Sequence, residues 1–340
     1  MRGRGLRDAL IAGTLALLAA LAVTLVLLKL GNADPVQAAS ALWRGSVGTR
    51  RTFGESLIRA TPLLIIAIGL VPSLRAGLFN IGAPGQIGLG ALAATLVSLW
   101  LADTPPWMLI PLAAIAAALG GALAALVPAV LRARWQINEI ITTLAFNFLV
   151  LYLLSWLLNG PIQGDYANLP QSDPLPPNSK LPILIPGTRA HTGLIVALLA
   201  VPLLWAFDRS RAGYRLRLFG GNRRLAAQAG VSEVRLLVLV MCIGGAAAGL
   251  AGWMQVSAVD HRLYPTVAAP IGYTGFFTAL LGGLHPLGIL VAALLLGILV
   301  KGGDSLQVGA GVSPEIIQAL LGVILLLYAG RSVLMLRRST

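Results

Sequence analysis

Apolar runs of about 15 to 25 residues recur along most of this chain, the length a helix needs to cross a hydrocarbon core of roughly 30 Å. One of them, residues 107–131, contains no charged side chain. Only 11% of all residues are charged and 57% are hydrophobic, whereas soluble domains carry about 25% charged residues. The runs exclude a soluble core and imply an all-α, polytopic integral membrane helix bundle with lipid as the solvent for most of its surface. Helices are expected near 9–30, 56–74, 81–101, 107–131, 137–158, 191–207, 235–257 and 314–334. Two shorter apolar pieces are expected near 271–283 and 286–300. Counting each piece once gives about ten membrane segments, including broken or half helices, within a single transmembrane domain over 1–340. The basic start of the chain resembles a signal peptide, but its apolar run is about 20 residues long and lacks a convincing small-x-small cleavage site. An uncleaved first helix is expected.

An even number of crossings puts both ends on one side, and Lys and Arg decide which. With both ends cytoplasmic, 16 of the 25 basic residues fall on the inner side, which predicts N-in and C-in. The net charge of +13 then reads as topology, with no soluble basic domain to hold a duplex, so no nucleic-acid partner is expected. Residues 159–190, rich in Pro, Asn, Asp and Ser, are expected as an extracytoplasmic loop. Residues 208–235 form the largest inner loop, with seven arginines against Asp208 and Glu233.

Much chemistry is missing. No Gly-Lys pair exists, so no Walker-type phosphate loop is possible. The three histidines are far apart in sequence, and no pair has metal-ligand spacing. No G-x-S-x-G elbow occurs. Cys242 lies alone in an apolar run, which leaves no disulfide framework or cysteine metal site. The expectation is a non-enzyme that binds no cofactor of its own.

What remains are polar interruptions in apolar surroundings. In "FNIGAPGQIGLGALAA", Pro84 and the glycines disfavour a continuous helix. The stretch is either a turn with Asn80 capping the next helix, or unwound backbone beside a cavity, with Asn80 and Gln86 satisfying it. The two readings are compatible, and Gly82, Gly85, Gly88 and Gly90 would permit close helix packing. In "INEIITTLAFNFL", Glu139, Thr143 and Asn147 are spaced by four and share one helix face. Such a stripe faces the bundle or a pore, because facing lipid costs too much. It serves either interhelical hydrogen bonding or a solute pathway, and Asn138 or Glu139 also suits a helix N-terminus. In "NRRLAAQAGVSEVRLL", Asn222 is the expected N-cap of a short helix from about Arg223 to Ala229, stopped by Gly230. That helix would lie on anionic headgroups or dock into a partner. A further break at 282–286 divides residues 270–303, and polar, Gly-rich interruptions at 79–90 and 272–288 give a weak internal echo of the kind that marks transporter pathways.

Taken together these segments resemble the permease subunits of bacterial ABC importers, in the branch serving ribose-type sugars and nucleosides. "GLFNIGAPGQIGLGA" is similar to the signature FNIG-x-EGQ, and "INEIITTLAFNFL" to NEV-x-x-T-x-x-x-N. "FGGNRRLAAQAGVS" is similar to GEN-x-x-AA-x-x-AG, and "GYTGFFTALLGGLHPLG" to GFTGIAVALLG-x-x-x-PLG. The resemblance implies a bacterial inner-membrane protein with no ATP site. ATP-Mg would sit on separate ATPase subunits, and a second permease, identical or paralogous, and an extracytoplasmic solute-binding protein would complete the assembly. It implies that Asn222, Arg223, Arg224, Ala226, Ala227 and Gly230 belong to a coupling helix. It also implies that Asn80, Gln86, Glu139, Thr143 and Asn147 line or shape the pathway. Pro84, Gly221 and Arg224 stand where the family often has acids, so the coupling segment is unusually basic. Few ionisable groups near mid-membrane suit an uncharged solute, a nucleoside favoured over a sugar.

Two other readings stay open at this point. An ion-coupled secondary transporter would need intramembrane acids, for which Glu139 is a thin basis. A non-transporting scaffold would leave uptake unchanged when deleted.

Overall fold

The computed structural model describes residues 34–165, 169–268 and 270–310, together with Gly322. The helices expected near 9–30 and 314–334 lie outside the described residues. The described residues contain no β-strand, only an isolated antiparallel bridge between Ile183 and His191. The helices are α1 (Pro35–Ser46), α2 (Arg50–Arg75), α3 (Ala83–Trp100), α4 (Pro106–Trp135), α5 (Glu139–Leu158), α6 (Gly193–Arg209), α7 (Arg211–Gly221), α8 (Arg223–Gln228), α9 (Glu233–Met254), α10 (Ile271–Leu281) and α11 (Pro286–Ala310). A π-helical turn, Gln255–Asp260, extends α9. Six helices are long and apolar enough to cross a membrane: α2, α3, α4, α5, α9 with its extension, and α11. A seventh crossing results if α6 and α7, bent by 72°, count as one.

The piece expected to stop near residue 300 does not. α11 continues to Ala310, with Lys301 and Asp304 on successive turns. Hydropathy falls at Lys301, but a charge does not interrupt the backbone ladder as proline does. Two further helices lack an apolar run and were not expected, yet each has a capping signal. Asp34 accepts from Val36 N (2.8 Å) ahead of Pro35 in the first turn of α1, a favoured start. Ser210 Oγ accepts from Gly213 N (3.1 Å) and starts α7, which buries Gly213, Leu216 and Phe219 at helical spacing.

The chain divides into two compact units. The first comprises the residues up to Arg59 and those from Leu296 onward. In it, Ser56 Oγ donates to Ser46 O (2.8 Å), and a Cβ on Gly302 would press on Leu42. Arg59 pairs with Asp304 at 3.4 Å, but both are exposed, so the pair adds little.

The second unit, Ala60 to Leu295, holds the rest. Its centre is a seam where α9 crosses α3 and α4 with almost no side chain between. A Cβ on Gly249 would strike Ala117 O, one on Gly245 would strike Gly121 O, and one on Gly90 would strike Gly249. Small residues at such crossings let dispersion and close backbone contact replace the hydrophobic effect, which lipid cannot supply. Away from the seam α4 exposes Ile115, Leu119 and Leu123 at intervals of four, the stripe a bilayer covers.

One end of this unit is capped by the long loop. Leu175 N donates to His261 O (2.9 Å), Ser172 N to Leu263 O (3.1 Å) and Leu181 N to Ser257 O (3.1 Å). Asn178 donates to Thr104 O (2.7 Å). His191 is 3% exposed, and its Nδ1 accepts from Gly193 N at 3.2 Å. Burial pushes this imidazole down to about 4, so it stays neutral and remains an acceptor. Burial, then the Lys180 and Arg189 charges, lower His261 as well.

Candidate translocation and coupling site

At the opposite end of the second unit α2 stops at Arg75 in a Schellman turn. Leu78 N bonds to Ser73 O (2.9 Å) and Gly77 N to Leu74 O (3.1 Å), with Gly77 at φ 76°. That left-handed residue is glycine for want of a Cβ. The chain then runs unhelical to Gly82, and α3 begins at Ala83 with Pro84 in its first turn. Pro84 therefore starts a helix, where its missing N–H is not needed. The expectation that Asn80 caps this helix is corrected, since Gly82 holds the cap position. Asn80 sits two residues upstream, where its Oδ1 accepts from Gly82 N (3.0 Å) and from Gln86 Nε2 (2.9 Å). Asn80 is fully buried and Gln86 nearly so, which makes this amide pair a closed fastening across the turn.

α5 supplies the rest of the fastening from one face. Asn138 caps it by accepting from Ile140 N (2.9 Å). Glu139 Oε1 accepts from Phe79 N (3.3 Å), and the Arg132 guanidinium lies 3.1 Å from its other oxygen. Thr143 Oγ1 donates to Glu139 O (2.6 Å), and Gly82 packs against the Thr143 side chain. Asn147 spans the break itself. Its Oδ1 accepts from Gly85 N (2.9 Å) and its Nδ2 donates to Ile81 O (3.0 Å). One side chain thus satisfies a donor and an acceptor that the start of α3 leaves free.

Asn80, Gln86, Glu139, Thr143 and Asn147 are all buried, and the structure brings them together around residues 79–86. Of the five, Asn147 alone borders a recess of about 190 Å³, with Pro84, Gly88, Phe148, Thr266 and Tyr273 among its walls. The Tyr273 hydroxyl lies 3.5 Å from Asn147 Nδ2. Tyr273 was not among the expected site residues. An aromatic in an apolar helix gives no sign of facing a recess until α5 and α10 are placed.

The basic segment lies directly under this turn. Asn222 Oδ1 accepts from Arg224 N (3.0 Å) and Leu225 N (3.2 Å), which starts α8 as expected. Gly230, at φ 77°, follows it, and Val231 N returns to Ala226 O (3.0 Å). Ala226 is fully buried in a cluster with Ala76, Leu78, Leu216, Phe219 and Leu237. Asn222, Arg223, Arg224, Ala227 and Gly230 are exposed. So α8 is a capped prong whose one buried residue packs with the start of the 76–82 turn.

Arg75 ties three further pieces together, through a partner 133 residues away that no local pattern announces. Its guanidinium pairs with Asp208 at the end of α6, and Nη2 donates to Leu284 O (2.7 Å) in the α10–α11 turn. Arg217 of α7 donates to Asp208 O (2.6 Å). Asp208→Ala strands Arg75 with about a fifth of its side chain exposed. The expected loss is on the order of 1–3 kcal/mol, read as a lower thermal midpoint of the purified protein in detergent. An unchanged midpoint would mean that the clamp carries no strain-bearing role.

Comparison with known proteins places the chain in a family. Residues 52–329 match the family described as branched-chain amino acid transport system / permease component. The chain is 38% identical to the glucose ABC transporter permease protein TsgB13 of Haloferax volcanii, over 90% of this chain and 84% of that one. It is 32% identical to the guanosine ABC transporter permease protein NupP of Bacillus subtilis, over 85% and 84%. It is 30% identical to the nucleoside ABC transporter permease protein NupB of Lactococcus lactis, over 87% and 84%. No solved structure matches. A multi-pass chain with these signatures and these relatives belongs to the branched-chain amino acid transport system / permease component family and is a permease subunit of an ABC importer.

Proposed function

We propose that this subunit passes a neutral polar solute, a nucleoside or a simple sugar, through the inner membrane in about ten segments with both ends cytoplasmic. The single observation that carries the mechanism is the burial of Ala226 of α8 in one cluster with Ala76 and Leu78. A force on the exposed face of α8 reaches the turn at 76–82 through packed atoms, and from there the Asn80–Gln86–Asn147 bonds at the start of α3. Close-packed contacts of this kind transmit displacement because they do not compress.

The orientation is supported by charge. Within the second unit the end bearing α7 and α8 has ten arginines against three carboxylates. The end bearing the 159–190 loop has three basic residues against four acids. Basic residues favour the cytoplasmic side, so ATPase subunits holding ATP-Mg meet α8 and the binding protein meets the loop. A second permease copy or paralogue completes the passage. The recess beside Asn147 and Tyr273 borders that passage, while Asn80, Gln86, Glu139 and Thr143 shape it. Relatives named for glucose, guanosine and nucleosides support the solute class, and selectivity rests with the binding protein.

The test is uptake of labelled guanosine and glucose in cells carrying the importer, alongside ATP hydrolysis by the purified complex. Replacing Ala226 by a bulky Trp should leave hydrolysis measurable and cut uptake on the order of tenfold. Uptake that persists without ATP or the ATPase would count for an ion-coupled carrier. Uptake of neither solute in any strain would remove the solute assignment.

A further inference from the structure

The three carboxylates at the Arg-rich end of the second unit are all engaged within the chain. Asp208 pairs with Arg75, Glu139 with Arg132 at 3.1 Å, and Glu233 with Arg223 at 3.2 Å. Arg209 stacks on Trp205 at 3.2 Å from the ring centroid. Arg211, Arg215 and Arg224 are exposed and have no carboxylate partner among the described residues. The face around the prong is therefore a positive field that this unit does not neutralise.

The prong has the form of a plug. Both ends of α8 are capped, and Ala226 is its one buried residue. Leu225, beside Arg224, is 52% exposed. An exposed leucine flanked by cations suits a groove with an apolar floor and an acidic rim. A lipid surface suits it poorly. An interfacial helix needs an apolar face turned to the bilayer, and the apolar residues Leu216, Phe219 and Ala226 are buried in protein.

We propose that the ATPase groove receiving α8 is acidic, with Leu225 seated in it and Arg215 and Arg224 paired across the contact. This rests on the reading that an ATPase docks at α8, and it adds the chemistry of the partner. Complementary charge at a rim sets association rate and partner choice more than final affinity. The permease therefore selects its own ATPase among the others in the same cell.

The test uses the complete importer, solubilised and held by a tag on this subunit. The column is washed at about 0.1 M and then about 1 M salt, where the Debye length falls from about 10 Å to about 3 Å. The retained ATPase is then measured. Wild type should keep its ATPase at the lower salt and lose most of it at the higher. R215E/R224E should retain about tenfold less at the lower salt, and R215K/R224K should behave as wild type. A single symmetric gel-filtration peak for each variant shows that it is folded. Equal retention by R215E/R224E at both salts would overturn the acidic groove while leaving ATPase docking intact. So would a defect seen only in vesicles containing phosphatidylglycerol and not in neutral phosphatidylcholine, because the arginines would then serve headgroups. No ATPase on the wild-type column at either salt would overturn the docking reading itself.

Discussion

Asn147→Leu should abolish uptake and lower stability by about 2–6 kcal/mol. The side chain closes two backbone groups, the buried Gly85 N and the part-buried Ile81 O, at 2.9 and 3.0 Å. Each group left without a partner away from water costs about 1–3 kcal/mol. Asn147→Asp should fall between wild type and Leu, because a carboxylate still accepts from Gly85 N but opposes Ile81 O. Thermal unfolding in detergent and solute uptake are the two readouts. A Leu variant within about 0.5 kcal/mol of wild type would show that the break at 79–86 holds itself together without α5.

The second large effect lies at the helix seam. Gly249→Leu should give a protein that aggregates or enters the membrane in low yield, with at least about 3 kcal/mol lost. The first added carbon already collides with Ala117 O, and Gly121 lies beside it. Neither neighbour is a flexible side-chain end, so the helices themselves must part. Gly249→Ala should show a smaller loss in the same direction. Gly221→Ala, at a glycine with nothing within 4 Å of the added carbon, should leave the unfolding midpoint unchanged. Folded yield by gel filtration separates the three. A normal yield for the Leu variant would place the crossing elsewhere.

How much of this was legible beforehand depends on whether the signal is local. Apolar length marked the crossings from α2 to α11 within a few residues, because hydropathy is read from consecutive side chains. It missed the first six residues of α2, where arginines precede the apolar run, and the end of α11, where the ladder continues past Lys301 after the run ends. Caps were legible at Asn138 and Asn222, where an amide immediately precedes its helix. They were missed at Asp34 and Ser210, where no apolar run called attention to the helix that followed. The face shared by Glu139, Thr143 and Asn147 followed from spacing alone, but its bonding did not. Those partners lie some 60 residues away, and nothing in the spacing tells a fastening from a pore lining. Arg75 with Asp208, and Tyr273 beside Asn147, were out of reach for the same reason.

The turn at 79–86 is held by Asn80, Gln86 and Asn147, none of which gains or loses a proton in the working range of a cell. Glu139, which accepts from Phe79 N, is offset by Arg132. A membrane potential does work of about 2.3 kcal/mol per 100 mV on each elementary charge that moves through it, and this joint has no net charge to move. The Asn80–Gln86–Asn147 bonds therefore hold alike across the pH range and the membrane potentials of a cell.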